Sequence, residues 1–165
     1  MFMTRRGFLA SAAILPGIGV LATPSMAAGS TVAVSLWDKG ADTAMGKGMG
    51  MGMHGDMAMV TMGIDAKPGT VKAGEVTFKV VNASKDTVHE MVLTPVTNTD
   101  ALLPYDEANE KVDEDAAGHL GEVAELEPGQ SGGLTLTLKP GTYILYCNIP
   151  GHYVAGMWTL FTVES

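Results

Sequence analysis

Apolar and polar residues alternate along much of this chain with the period of two that is typical of β-strands. Val32, Val34 and Leu36 show the pattern near the start. The same alternation, or a short run of β-branched and aromatic residues, recurs through the chain. Strands are therefore predicted over residues 31–37, 74–81, 88–94, 120–126, 134–138, 142–147 and 157–163, and the segment 57–62 is predicted to resume strand structure.

The segments between these strands are rich in turn-forming residues and show almost no helical period. Residues 38–55 break into glycine and methionine, and Pro140-Gly141 marks a tight turn. The long acidic segment 97–118 contains Pro104 and is predicted to be a loop with a short helix. Seven to eight short strands joined in this way indicate an all-β protein, a two-sheet antiparallel sandwich.

The N-terminal segment has the composition of an export signal. Arg5-Arg6 is followed by Gly-Phe-Leu and by an apolar run to about Ala22, with small-residue cleavage sites just beyond it. The run is short and is interrupted by Pro16-Gly17, which favours a cleaved signal, although an uncleaved anchor stays an alternative. We predict a twin-arginine-type signal peptide over residues 1–28, one domain over residues 29–165 and a periplasmic location.

Removal of that signal would leave a strongly acidic chain. Eight Lys and no Arg would then stand against 18 Asp and Glu, a net charge of about −10. Such a surface repels nucleic acid and anionic lipid, so we expect no nucleic-acid partner and no membrane insertion after cleavage. Two interpretations stay open, a surface for a basic partner or cationic cargo and simple solubility.

The candidate chemistry is concentrated between the last two predicted strands. Cys147, the only cysteine, is followed at even intervals by His152 and Met157. A thiolate, an imidazole and a thioether suit copper, and two His, one Cys and a weak axial Met make a blue-copper site. A free thiol in an exported protein needs burial or ligation. An inert core cysteine, and a core methionine beside Trp158, are the structural alternatives.

His89 is the candidate for the second imidazole. It shares an apolar strand face with Met91 and Leu93, where an imidazole needs a polar partner or a metal. His54 lies in the Met/Gly segment and His119 in a flexible acidic region, so both are poor rigid ligands. Taken alone, His89 would more often be a core histidine with a polar partner, but the downstream ligands need one more imidazole.

Two polar neighbours of His89 are left outside the predicted site. Asn82 and Glu90 could orient a metal-bound imidazole, and surface placement of both is the alternative. The four ligand candidates leave no open position and no catalytic base. The chain also has only four histidines, too few for a multicopper oxidase. We therefore expect outer-sphere electron transfer or metal holding, and no enzymatic turnover.

The stretch from about Val71 to Val163 resembles the cupredoxins, the family of blue (type 1) copper proteins. The resemblance rests on the spacing Cys-x4-His-x4-Met, on Val88-His89-Glu90-Met91-Val92-Leu93 and on the segment from Tyr146 to Tyr153. The chain is most similar to periplasmic cupredoxin-like copper-binding proteins, some of which carry Met-rich stretches linked to copper tolerance. The resemblance implies Greek-key connections and one type 1 copper ion, and its ligands would be His89, Cys147, His152 and Met157.

A Met/Gly-rich segment at about 45–62 is a second candidate metal site. Seven of the 12 methionines fall there, and thioethers bind Cu(I) in preference to hard ions. The glycines would let several sulfurs wrap around one ion, which predicts an additional, labile Cu(I) site. Its candidate ligands are Met45, Met49, Met51, Met53 and His54. The alternative is a flexible linker that folds over an apolar surface.

Two functions fit these features. The first is a periplasmic protein that sequesters or shuttles copper, or confers copper tolerance, with a copper-trafficking partner and more than one copper per chain. The alternative is a soluble one-electron carrier between redox partners, with a single copper. In that case electrons would leave through the edge of His152, and Tyr153 or apolar residues near Pro150 would form the docking patch.

Overall fold

The computed structural model describes residues 29–165, and the predicted signal peptide over residues 1–28 lies outside the described residues. Regular structure there is almost entirely β. The strands are β1 Ser30–Asp38, β2 Met62–Lys67, β3 Thr70–Lys72, β4 Gly74–Asn82, β5 His89–Val96, β6 Tyr105–Asp106, β7 Lys111–Val112, β8 Gly121–Leu126, β9 Ser131–Leu138, β10 Gly141–Tyr146 and β11 Trp158–Glu164. One short helix, α1, spans Glu114–Ala117.

The strands form two main sheets around a shared core. One sheet has the order β2-β1-β4-β9, the other has the order β3-β11-β10-β5-β8, and β6 pairs with β7 alone. The predicted all-β sandwich is confirmed. The prediction of purely antiparallel sheets is wrong, because β1 pairs parallel with β4 and β3 pairs parallel with β11. A strand count of seven to eight was also too low, since short strands such as β3, β6 and β7 carry little periodic signal.

The prediction that strand structure resumes over residues 57–62 is wrong for most of that segment. Met57–Met59 forms a 3₁₀ turn, and β2 begins only at Met62. The Asp56 side chain caps the turn by accepting a hydrogen bond of 2.9 Å from the amide of Ala58. This local side-chain-to-backbone bond offers the backbone an alternative to sheet pairing, in spite of the alternating sequence.

The short helix expected in the long acidic segment is present as α1. Asp113 caps its N-terminus by accepting a 3.0 Å hydrogen bond from the amide of Ala116. The helix ends at Gly118, whose φ of 72° lies in the left-handed region that favours glycine. Both ends of α1 are therefore explained by residues that can be recognised in the sequence, Asp113 and Gly118.

The main core lies between the two sheets. Phe78 of β4 and Phe161 of β11 meet edge to face with ring centroids 5.3 Å apart, and both are fully buried. Cys147 and Met157 belong to the same buried cluster. The candidate metal ligands are therefore held at the end of a packed core.

A second apolar cluster covers the outer face of the five-stranded sheet. Val92, Ile144 and Tyr146 of that sheet pack with residues from outside the sheet, which are Met51, Leu103, Val112, Tyr153 and Val154. The Met/Gly segment is part of this layer, since the amide of Met49 donates to the carbonyl of Val154 at 2.8 Å. Both faces of β5 are consequently buried, where the sequence pattern indicated one.

Gly52 shows how closely the Met/Gly segment fits. Its φ is 78°, and a Cβ at this position would lie 2.6 Å from the carbonyl carbon of Ala101. Only glycine combines that backbone conformation with that close approach. Within residues 29–165, no helix is long and apolar enough to span a membrane.

Candidate metal centre

Three of the predicted ligands converge at one end of the sandwich. His89, Cys147 and His152 each offer a donor atom within 4.8 Å of the others, and all three residues are buried. Nδ1 of His89 lies 3.3 Å from Nδ1 of His152, and Sγ of Cys147 lies 4.0 Å and 3.4 Å from these two nitrogens. Two imidazole nitrogens and one sulfur therefore face a common point.

The loop 147–157 is closed by its own backbone. The amide of Cys147 donates to the carbonyl of Met157 at 3.1 Å, and the amide of Met157 donates to the carbonyl of His152 at 3.0 Å. Gly151 precedes His152 with a φ of 82°, which lets the chain turn back toward β10. The loop thus brings the backbones of Cys147, His152 and Met157 together, and the Met157 side chain is fully buried.

His89 is aimed at the loop by an irregularity in β5. The pairing of β5 with β8 shifts register between His89 and Met91, as at a β-bulge. Bulges near functional sites commonly redirect a side chain. Glu90 lies between His89 and Met91, and its amide donates to Sγ of Cys147 at 3.5 Å. The same bulge therefore also supplies a hydrogen-bond donor to the sulfur.

Asp38 contacts the ring of His89 on the side away from the cluster, a contact for which the sequence carries no local signal. Its Oδ2 lies 2.7 Å from Nε2 of His89, and both side chains are buried. A carboxylate only accepts, so Nε2 carries the proton and Nδ1 presents its lone pair. Burial lowers the pKa of His89, and the hydrogen bond to Asp38 offsets only part of that effect. A neutral, oriented imidazole suits metal ligation.

The pKa values of the other two candidate ligands are also shifted mainly by burial. Burial raises the pKa of the Cys147 thiol to about 12 in the metal-free chain. Burial, together with the proximity of His89, lowers the pKa of His152 to about 4. His152 is therefore a neutral donor at pH 7, whereas a metal ion has to displace the proton of the thiol.

Surface placement of Asn82 and Glu90 is wrong. Asn82 is fully buried, and its amide nitrogen donates to the carbonyls of Thr87 and Leu126 at 2.9 and 2.8 Å. It thereby fixes the turn that leads into His89. Glu90 is 4% exposed, and its Oε1 has no hydrogen-bond partner. Burial raises the pKa of Glu90 to about 7.

Asn148 is a further structural residue that sequence reasoning missed. Its amide oxygen accepts from the amide of Val112 at 2.7 Å, and its amide nitrogen donates to the Val112 carbonyl at 3.0 Å. The nitrogen also donates to the carboxylate of Glu114 at 2.7 Å. These bonds tie the start of the loop 147–157 to β7 and α1. The only sequence feature that could have pointed to Asn148 is its position directly after Cys147.

The candidate ligands of the Met/Gly segment do not form one cluster of exposed sulfurs. Met49 and Met51 are buried, at 2% and 1% exposure, whereas Met45 is 48% exposed. Met53 is half-buried and His54 is exposed. The segment packs over the loop 147–157 instead of extending freely from it.

Tyr153 does not form a surface docking patch. It is fully buried between Tyr146, at a ring-centroid distance of 5.7 Å, and Tyr105, at 6.1 Å. The amide of Leu103 donates to its hydroxyl at 3.4 Å. Its role in the structure is to support the layer of loops that covers the five-stranded sheet.

Comparison with known proteins connects this geometry to a family. The profile of the Sulfocyanin (SoxE) domain matches residues 121–165, which include the loop 147–157. Auracyanin-B of Chloroflexus aurantiacus is 37% identical over 87 residues, 51% of this chain and 33% of that protein. A structure of auracyanin B has a TM-score of 0.52 at 25% identity, over 82% of this chain and 89% of that one. The chain has the cupredoxin fold and is similar to cupredoxins in sequence.

A further cupredoxin structure agrees in fold. The reduced auracyanin from the photosynthetic bacterium Roseiflexus castenholzii has a TM-score of 0.50 at 21% identity, over 83% of this chain and 97% of that one. The chain spans about a third of the length of the curated relative it matches. Cupredoxins bind one type 1 copper ion, are electron carriers rather than enzymes, and are typically exported.

The residues of this chain fit that metal. A thiol and two imidazole nitrogens converge in a buried position, and the imidazole of His89 is held in the tautomer that ligation needs. This donor set of sulfur and nitrogen is the one that copper prefers over hard cations. The buried thiol also has no second cysteine with which to pair in the described residues.

Proposed function

We propose that this chain holds one copper ion through His89, Cys147 and His152, with Met157 as a weak axial ligand, and carries single electrons between proteins. The observation that supports the proposal most strongly is the convergence of three buried donor atoms within 4.8 Å. When bound, copper supplies a one-electron couple between Cu(I) and Cu(II). The role of the chain is to hold its ligands in nearly one geometry for both states.

Preorganisation favours electron transfer over chemistry on a substrate. His89 is fixed by Asp38, and Cys147 by the bonds that close its loop. His152 is 5% exposed, whereas His89 and Cys147 are fully buried. His152 is thus the proposed ligand closest to solvent, and we infer that electrons enter and leave through its ring. The partner is then a redox protein that docks over His152.

Export and cleavage of the signal peptide belong to the same proposal. We infer that residues 1–28 direct export by the twin-arginine route and that the domain acts in the periplasm. After cleavage the acidic surface would exclude nucleic acid and anionic membranes as partners. No enzymatic turnover is proposed, because the four ligands leave no position for a substrate.

Copper handling is a second candidate function, and the position of Met45 favours it. Its methyl carbon lies 3.6 Å from where a Cβ of Gly151 would be, so a half-exposed thioether lies against the loop 147–157. An additional Cu(I) site formed by Met45, Met49, Met51, Met53 and His54 would require the buried Met49 and Met51 to leave their packing. Copper tolerance, sequestration and shuttling would all depend on such exchangeable copper.

Visible absorption and copper stoichiometry test both candidates. The chain is loaded with Cu(II) and then with Cu(I), alongside Cys147→Ser. An intense thiolate-to-copper band that disappears in Cys147→Ser, with one copper in both states, supports the electron carrier. More than one Cu(I) per chain supports copper handling, provided that replacing Met45 and Met53 with Leu lowers the number. Absence of the band in the unaltered chain contradicts the ligand assignment.

A further inference from the structure

A cavity of about 360 Å³ leads to the proposed copper centre. It lies where the end of β1, the start of the Met/Gly segment and the loop 147–157 meet. The side chains that matter in its wall are Asp38, Met45, Thr61, Met62, Thr87 and His152. His152 is the proposed ligand that lines it, while the other three are fully buried. The cavity therefore reaches the centre at its solvent side.

Two methionines line this cavity. Met45 is 48% exposed and lies against Gly151, the residue before His152. Met62 is 5% exposed and is therefore set further into the protein. A half-exposed methionine and a buried one thus stand in one wall. Thioethers bind Cu(I), stay unprotonated at any physiological pH and discriminate against hard cations.

Two oxygen-bearing residues of the wall also suit a cation or its water. Oγ1 of Thr61 is buried and has no hydrogen-bond partner, although buried hydroxyls in proteins are almost always satisfied. The Asp38 carboxylate, which orients His89, contributes negative charge to the same cavity. An unpartnered hydroxyl and a carboxylate favour a hydrated or cationic occupant over an apolar one.

We propose that this cavity is the entry site for Cu(I), with the thioether of Met45 as the ligand that captures the ion before it reaches His152 and Cys147. The inference rests on the proposed copper centre and adds its route of loading. The ion enters and stays as Cu(I), so no electron moves. The bond to Met45 breaks as the bond to Cys147 forms, and the thiol proton leaves to bulk water.

The test is the rate at which the metal-free full chain takes Cu(I) from a weak chromophoric chelator, followed anaerobically by stopped-flow absorbance. Met45→Leu keeps the size and polarity of the side chain but removes the sulfur. We expect loading to slow roughly tenfold, which corresponds to about 1.4 kcal/mol of lost transition-state stabilisation. The occupancy and affinity of the Cys147 centre should not change, because Met45 is not one of its proposed ligands.

Three controls distinguish a ligand from a bulky neighbour. Met59→Leu removes the sulfur of a 65% exposed methionine in the same segment that does not line the cavity, and it should load at the unaltered rate. Met45→His restores a copper ligand and should restore fast loading. Loading with Cu(II), for which a thioether is a poor ligand, should be equally fast with Met45 or Leu at this position.

The inference is overturned if Met45→Leu loads Cu(I) as fast as the unaltered chain, if Met45→His is as slow as Met45→Leu, or if Cu(II) loading slows equally. Failure of the proposed function gives a different result. In that case the unaltered chain would show no copper uptake that depends on Cys147, whichever residue stands at position 45.

Discussion

Asp38 and His89 stand 51 positions apart in the chain and meet through a contact of 2.7 Å between Oδ2 and Nε2. Asp38 ends β1 in one sheet and His89 begins β5 in the other, so the contact also joins the two sheets. Burial would raise the pKa of Asp38, but hydrogen bonds with Ser84, His89 and Gly40 outweigh burial and lower it. Asp38 is therefore ionised where it orients the imidazole.

Asp38→Ala should weaken copper binding. Loss of an outer partner of a ligating histidine typically costs 10–100-fold in metal affinity, because the ring is no longer held in its tautomer and orientation. A competition titration with a copper chelator measures the change. Asp42→Ala is the matched control, since Asp42 is an exposed carboxylate in the segment that follows β1. Equal copper affinities for the two variants would contradict a role of Asp38 in orienting His89 for copper binding.

Met157→Leu distinguishes a ligand from a core methionine. Both side chains are apolar and similar in volume, so stability should fall by less than about 1.5 kcal/mol. If Met157 is a copper ligand, its loss should shift the reduction potential measurably, because the axial ligand tunes the potential of such a centre. Met91→Leu, another fully buried methionine of the same core cluster, should leave the potential nearly unchanged. Protein-film voltammetry of both variants gives the answer.

Met51→Ala tests whether the Met/Gly segment is part of the fold. Met51 is 1% exposed in the cluster with Tyr146 and Tyr153, so truncation should cost about 2–5 kcal/mol in unfolding free energy. Met59→Ala, at 65% exposure, should change stability by no more than about 0.5 kcal/mol. Urea unfolding of the metal-free chain measures both. Two equally small effects would mean that the segment behaves as a linker.

Glu90→Gln should change how stability depends on pH. The pKa of Glu90 is raised from 4.5 to about 7, so the folded chain binds more protons than the unfolded chain between these values. Stability therefore falls as the pH rises through this window. Above pH 7 the metal-free Glu90→Gln variant should be more stable than the unaltered chain, by about 1–3 kcal/mol.

His152 gives the opposite slope in part of that window. Its pKa is lowered from 6.5 to about 4, so the unfolded chain binds more protons and stability rises with pH between these values. The two groups partly cancel between pH 4.5 and 6.5, and the Glu90 effect should be clearest above that. The test is the urea unfolding midpoint of the unaltered chain and of Glu90→Gln at pH 5, 6, 7 and 8. If the two midpoints change with pH in parallel, the prediction is contradicted.

The convergence of His89, Cys147 and His152, and the strands that carry these residues, could be predicted from the sequence. Cys147, His152 and Met157 lie within one loop, so their spacing alone brings their backbones together when that loop closes. The alternation of Val32, Val34 and Leu36 likewise reports directly on one buried strand face. Both are local properties, which a one-dimensional pattern records. His89 was predicted as the fourth ligand because its imidazole lies on an apolar strand face, whereas His54 and His119 lie in segments without a strand pattern.

Contacts between distant parts of the chain were decided by the tertiary structure. Asp38 could not be connected with His89, and the parallel pairing of β1 with β4 leaves no mark on either strand's pattern. The sequence leaves the Met/Gly segment open as a labile Cu(I) site or a flexible linker, whereas in the structure Met49 is buried and Met51 packs in the cluster on the outer face of the five-stranded sheet. That packing also leaves Met45 as the half-exposed methionine beside the loop 147–157. The sequence by itself therefore determined which side chains are available as donors in the proposed centre. The tertiary structure decided how the His89 imidazole is oriented, which segment covers the loop 147–157 and which side of the centre faces solvent.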